Sequence, residues 1–128
     1  MSHPDADRDP YGLVIEDDPD LAKIFSEALR RAGYDVRVFY DGAAGLVELN
    51  DGVPSVIVLD LHLPGISGEI ILEYIQGDER FERTWIILAT ADLRKADELR
   101  DQADLVLIKP IGFNQLREIA IRLRPNLG

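Results

Sequence analysis

Five short apolar runs punctuate the chain, at residues 13–15, 36–39, 56–59, 85–88 and 105–108. Each is about four residues long and mostly β-branched or leucine, with little polar alternation. Runs of this kind predict strands covered on both faces. Between them the period changes to that of a helix. Leu21, Ile24, Phe25, Ala28, Leu29 and Ala32 recur at helical spacing, with Asp18 placed to cap, Pro19 at the first turn and Gly33 at the stop. A weaker helix is predicted over 42–49 after Asp41, where Gly42 and Gly45 lower the propensity. A third covers about 67–75 and carries Ile70, Ile71, Tyr74 and Ile75. A short fourth covers 93–102, with Leu93, Ala96 and Leu99 as a thin apolar face. The last carries Phe113, Leu116, Ala120 and Leu123 and ends before Pro125.

Strand and helix thus alternate five times, which implies right-handed crossovers and a parallel sheet with helices on both faces. The reading is a single doubly wound α/β domain of (βα)5 type over residues 11–125. Residues 1–10 are expected to form a flexible tail, and no output domain is expected. No Pro-, Gly- or Ser-rich linker and no internal repeat divides the chain. Phe25, Trp85 and Phe113 are expected in the core.

Composition narrows the function. The 128 residues carry 24 acids and 14 bases, a formal charge of −10. Such a field repels polyanions, so neither nucleic acid nor an anionic membrane is expected as a partner. Residues 91–128 have 6 acids against 7 bases and are the part most open to a partner of either sign. The absence of cysteine removes disulfides, zinc ribbons and thiol catalysis. No apolar run approaches the ~18 residues of a membrane span, and the start lacks a signal-peptide pattern. A cytoplasmic domain is expected.

In an open parallel sheet, chemistry gathers at the carboxyl ends of the strands. Glu16, Asp17 and Asp18 follow the first run; Asp60 and then His62 follow the third; Thr90 and Asp92 follow the fourth; Lys109 and Pro110 follow the fifth. Three carboxylates, Glu16, Asp17 and Asp60, would then share one sheet edge. At ~4 Å and an effective dielectric near 20, each like-charge pair costs about 4 kcal/mol. Lys109 offsets part of that, and a divalent cation with oxygen ligands, Mg²⁺, offsets more. A carboxylate beside Mg²⁺ and a lysine is a competent nucleophile toward phosphorus, and Thr90 offers a hydroxyl to a phosphoryl oxygen.

The ordered fragments IEDDP, VLDLHLPGISG, LATA and IKP resemble the receiver domain of two-component response regulators, the CheY-like family. Asp17 lies 43 residues before Asp60, and Asp60 lies 30 before Thr90. The resemblance implies a flavodoxin-like sheet of order 2-1-3-4-5. It implies Asp60 as phosphoacceptor, and Glu16, Asp17, Asp60 and the His62 backbone carbonyl as ligands of Mg²⁺ or Mn²⁺. Thr90 and Lys109 would read the phosphoryl group, while His62 and Asp92 would modulate its lifetime, although Asp92 serves equally as a helix cap. A cis peptide before Pro110 is also usual in such domains. The function implied is a stand-alone receiver. It would take its phosphoryl group from a histidine kinase or histidine phosphotransfer protein and signal through an unknown downstream protein, as a monomer or weak homodimer. It would not be an enzyme beyond self-phosphorylation and slow autodephosphorylation.

Two departures bear on output. Val106 stands where the family commonly has an aromatic ring that accompanies the switch. Only 19 residues separate Thr90 from Lys109, fewer than is usual. Both fall on the face of helix 4, strand 5 and helix 5, the expected contact surface, where Ile121 also lies off the main apolar stripe. They favour an alternative, a phosphate-independent interaction module on the same fold. A dehalogenase-type phosphatase is disfavoured by His62 in place of a second acid. A flavin site is disfavoured by the acidic EDDPD loop.

Overall fold

The computed structural model describes residues 10–124. Of the expected tail over residues 1–10, residues 1–9 lie outside the described residues and only Pro10 lies inside them. Five strands, β1 (Tyr11–Ile15), β2 (Asp35–Phe39), β3 (Val56–Asp60), β4 (Trp85–Thr90) and β5 (Leu105–Ile108), alternate with five helices. These are α1 (Pro19–Arg31), α2 (Gly42–Asp51), α3 (Gly68–Gln76), α4 (Leu93–Leu99) and α5 (Phe113–Leu123). All strand pairs are parallel, in the order β2-β1-β3-β4-β5.

Successive side chains of a strand point to opposite faces, so each inner strand feeds two cores. Leu13, Ile15, Ile57, Leu59 and Leu88 pack with Leu49 of α2, Ile71, Leu72 and Ile75 of α3, and Leu99 of α4. Val14, Val56, Val58, Ile87 and Ala89 pack with Phe25, Ala28 and Leu29 of α1 and with Leu116 and Ala120 of α5. Each large aliphatic side chain so buried contributes roughly 1.5–3 kcal/mol relative to exposure. Runs with neighbours on both faces, as in β1 and β3, are therefore continuously apolar. The edge strands β2 and β5 are only partly covered.

Helix starts follow the capping chemistry. The Asp18 carboxylate accepts from the Asp20 and Leu21 N–H groups, that of Asp41 from Ala44, and that of Asp92 from Arg94 and Lys95. The α1 stop comes at Gly33, whose φ of +100° suits glycine. The fourth helical segment has an α-helical part only to Leu99 and tightens into a 3-10 turn over Arg100–Gln102.

Several expected core residues are not core. Trp85 is 41% exposed, because it opens β4 at the amino edge of the sheet, beyond the reach of the helices. Leu93, at 68%, opens α4 on its solvent side, leaving Ala96 and Leu99 as the buried face. Phe113 is only half-buried, and Ile24 and Ile70 are 37% and 52% exposed. Phe25 is fully buried as expected. No helix among the described residues is long and apolar enough to cross a membrane.

Candidate functional site

Parallel register levels the strand ends. Ile15 pairs with Leu59, Leu59 with Leu88, Asp60 with Ala89, and Thr90 with Ile108. The residues at or just beyond these ends, Glu16, Asp60, Thr90 and Lys109, therefore come out side by side. Backbone bonds hold the edge in place: Glu16 N–H donates to Phe39 O at 3.0 Å, Leu61 N–H to Ala89 O at 3.2 Å, and Lys109 N–H to Thr90 O at 2.9 Å.

The structure brings Glu16, Asp17 and Asp60 together, with one carboxylate oxygen of each lying within 4.8 Å of the others. Glu16 and Asp60 are buried, at 1% and 2% exposure, whereas Asp17 faces water. Lys109 reaches in from β5, with Nζ 2.9 Å from Glu16 Oε1 and 3.4 Å from Asp60 Oδ1. The peptide between Lys109 and Pro110 is cis. His62, exposed, has its backbone N–H on Asp60 Oδ1 at 3.1 Å. The Asp18 N–H donates to Glu16 Oε2 at 3.2 Å, so the residue that caps α1 also contributes its backbone to the site.

Burial pushes the Glu16 carboxyl up to about 7, and the neighbouring Asp60 adds to that against the opposing pull of Lys109 and the Asp18 N–H. Burial also works against the Lys109 ammonium, but Glu16 and Asp60 outweigh it and hold its pKa above the ordinary lysine value. Three carboxylates against one ammonium leave the cluster short of positive charge. Glu16 Oε1 shows the shortfall directly. Lys109 is close enough for an ion pair, yet that oxygen has no aligned hydrogen bond. An all-oxygen set with one water-facing member fits a hard cation that keeps several waters, the preference of Mg²⁺.

Thr90 is fully buried at the end of β4, and its Oγ1 accepts the Asp92 N–H at 3.0 Å. That bond uses a lone pair of the hydroxyl and leaves its hydrogen available. The Asp92 carboxylate is spent on capping α4, which draws its pKa below the usual carboxylate range. Val106 lies half-buried on β5 opposite Leu88, against the cluster that includes Leu99. A groove of about 710 Å³ beside Tyr11, Tyr34 and Arg37 lies at the opposite edge of the sheet.

Residues 13–121 match the family described as the response regulator receiver domain. The chain belongs to the receiver family. Its relatives include the DNA-binding response regulator MtrA of Mycolicibacterium smegmatis, 32% identical over 118 residues that cover 89% of this chain and 50% of that protein. The hybrid signal transduction histidine kinase D of Dictyostelium discoideum is 36% identical over 89 residues, 70% of this chain but 6% of the kinase. Among solved structures, the BeF3-activated receiver domain of DrrB from Thermotoga maritima matches with TM-score 0.78 and 30% identity, covering 89% and 96% of the two chains. The chemotaxis regulator CheY4 of Vibrio cholerae shares the fold at TM-score 0.80 and 23% identity, covering 89% of this chain and 98% of that one.

This receiver spans about half the length of the first curated relatives it matches. Receivers are phosphoacceptor modules of two-component signalling rather than conventional enzymes. From sequence alone, Gly42 reads only as a residue of low helix propensity and Gly68 is given no part in the site. Their only signal was the placement of glycine at the first position of a helix.

Proposed function

We propose that the chain is a Mg²⁺-dependent receiver whose phosphoacceptor is Asp60 and whose output is a phosphorylation-dependent protein contact. The observation that carries this reading is the Asp60 carboxylate itself. It is buried at the end of the central strand, inside a three-carboxylate cluster, with the Lys109 ammonium 3.4 Å from its Oδ1.

The donor is a phosphohistidine of a kinase or phosphotransfer protein. An Asp60 oxygen forms a bond to phosphorus as the phosphorus–nitrogen bond breaks, and the electron pair leaves with the imidazole, which takes up a proton. The product is an acyl phosphate. Glu16, Asp17, Asp60 and the His62 carbonyl would hold Mg²⁺ or Mn²⁺, which supplies positive charge beside the phosphoryl oxygens. Lys109 lends a second positive charge there, and its ties to Glu16 and Asp60 keep it in place. The His62 N–H fixes the rotation of the Asp60 carboxylate. The Thr90 hydroxyl donates to a phosphoryl oxygen while its lone pair keeps the Asp92 N–H. His62 and Asp92 set the access of water, His62 with a free side chain and Asp92 through the cap it makes. With Val106 in place of an aromatic, the signal leaves by way of α4 and the α4–β5–α5 face.

The test is the intact-protein mass after incubation with Mg²⁺ and a small phosphodonor such as acetyl phosphate, beside Asp60→Asn. One added phosphoryl group in the parent and none in the variant is the expected result. A parent that neither gains a phosphoryl group nor binds Mg²⁺ would overturn it in favour of the phosphate-independent module, the reading that Val106 and the short α4 segment favour.

A further inference from the structure

Two successive helices open on a buried glycine, α2 on Gly42 and α3 on Gly68. Among the described residues only Gly33 and Gly65 have positive φ, so backbone conformation does not explain either one. Helix propensity offers no reason to prefer glycine to alanine at either position. Space accounts for them. A Cβ on Gly42 would collide with the Ile66 carbonyl oxygen and lie 2.9 Å from its carbon. A Cβ on Gly68 would collide with the Asp60 carbonyl oxygen and lie 2.7 Å from Leu61 Cα.

These obstacles are backbone atoms of a single stretch, residues 60–66, and backbone cannot swing aside as a side-chain tip can. The stretch is pinned at its base, where Gly68 N–H donates to Leu61 O at 3.2 Å, and it turns at Gly65 with φ of +73°. It carries His62, whose N–H holds Asp60 Oδ1. A push at either end is therefore passed to the bond that orients the acceptor carboxylate.

We propose that Gly42 and Gly68 are positioning residues for the Asp60 site. Their missing side chains let α2 and α3 press the β3–α3 loop to the depth at which the His62 N–H meets Asp60. This rests on the reading of Asp60 as a metal-binding acceptor. It also makes α2, which supplies no residue of the carboxylate cluster, part of the site's support.

The experiment is calorimetric titration of Mg²⁺ into the full chain and into Gly42→Ala, Gly68→Ala and Gly12→Ala, each well below its own melting midpoint. Gly12 is the control. It sits near the amino end of β1, where the three atoms nearest a Cβ belong to the side chains of Leu29, Tyr34 and Val56, at 3.2–3.5 Å. Loss of a group that orients a metal ligand typically weakens affinity roughly 10–100-fold. At least a tenfold loss is expected in Gly68→Ala and a smaller, clear loss in Gly42→Ala, with unchanged affinity in Gly12→Ala whatever its melting midpoint. Affinities of both test variants within about twofold of the parent would overturn the proposal. So would the absence of a cooperative melting transition in both, which would make the glycines merely structural. A parent that binds no Mg²⁺ removes the underlying reading, and the proposal with it.

Discussion

Glu16 carries the largest conflict among single residues: it is almost wholly buried, faces Asp60, and is balanced only by Lys109 and the Asp18 N–H. Its carboxyl stands at about 7 in the folded chain against an ordinary 4.5. A carboxyl raised in this way favours the folded state while protonated. Its contribution in the metal-free protein is full below about 4.5 and is lost as pH rises through about 7. Urea denaturation of the metal-free protein at several pH values should show stability falling across that window, and Glu16→Gln should flatten the fall. An equally steep fall in the variant would place the effect elsewhere. That Glu16, Asp17, Asp60, Thr90 and Lys109 converge was legible in the chain, because each stands at or just past the end of an apolar run. Their unequal burial was not. Asp17 and Glu16 are neighbours in sequence, and only the fold decides which turns inward.

Among the five helices, α4 is the shortest. It has seven residues, two of them buried, and its start depends on the Asp92 carboxylate. Its other tie is Lys95, which reaches Glu69 of α3 at 3.2 Å. Asp92→Ala should destabilise the start of α4 through loss of that cap. The loss should appear as faster amide exchange over residues 93–99, with α1 unaffected. A uniform loss of protection would instead make α4 an integral part of the global unfolding unit. The brevity of α4 was readable from the distance between Thr90 and Lys109. The outward turn of Leu93 was not, since helical spacing defines a stripe only when several residues share it. Trp85 was misread for a related reason: a strand's first residue keeps the apolar pattern although no helix reaches over it. Gly42 looked like a weak spot in a helix, because its contact with Ile66 joins segments far apart in the chain.

Across the whole molecule, a charge of −10 and a concentrated acid cluster make the folded state responsive to cations. Mg²⁺ at 100 times its Kd should add about 2.7 kcal/mol to stability, raising the melting midpoint by several degrees. Monovalent salt at equal ionic strength should do less, since it only screens. A chelator should reverse the shift, and Asp60→Asn should show only the salt effect. Equal shifts with both salts would leave no specific ion at the cluster. The doubly wound architecture itself was recoverable from the alternation of runs and stripes, because the inner strands owe their composition to being sandwiched. The two helical layers nevertheless differ in how firmly they are attached. On one side the segment after α1 is tied to α5 by the Tyr34 hydroxyl donating to Ala120 O at 2.8 Å, and the Arg124 guanidinium lies against Gly33. On the other, α4 rests on Ala96, Leu99 and its cap. The α1–α5 layer is thus joined by a buried hydrogen bond, where α4 is joined to α3 by a partly exposed ion pair. A partner that grips the α1–α5 layer would therefore meet a surface less easily altered than one that grips α4.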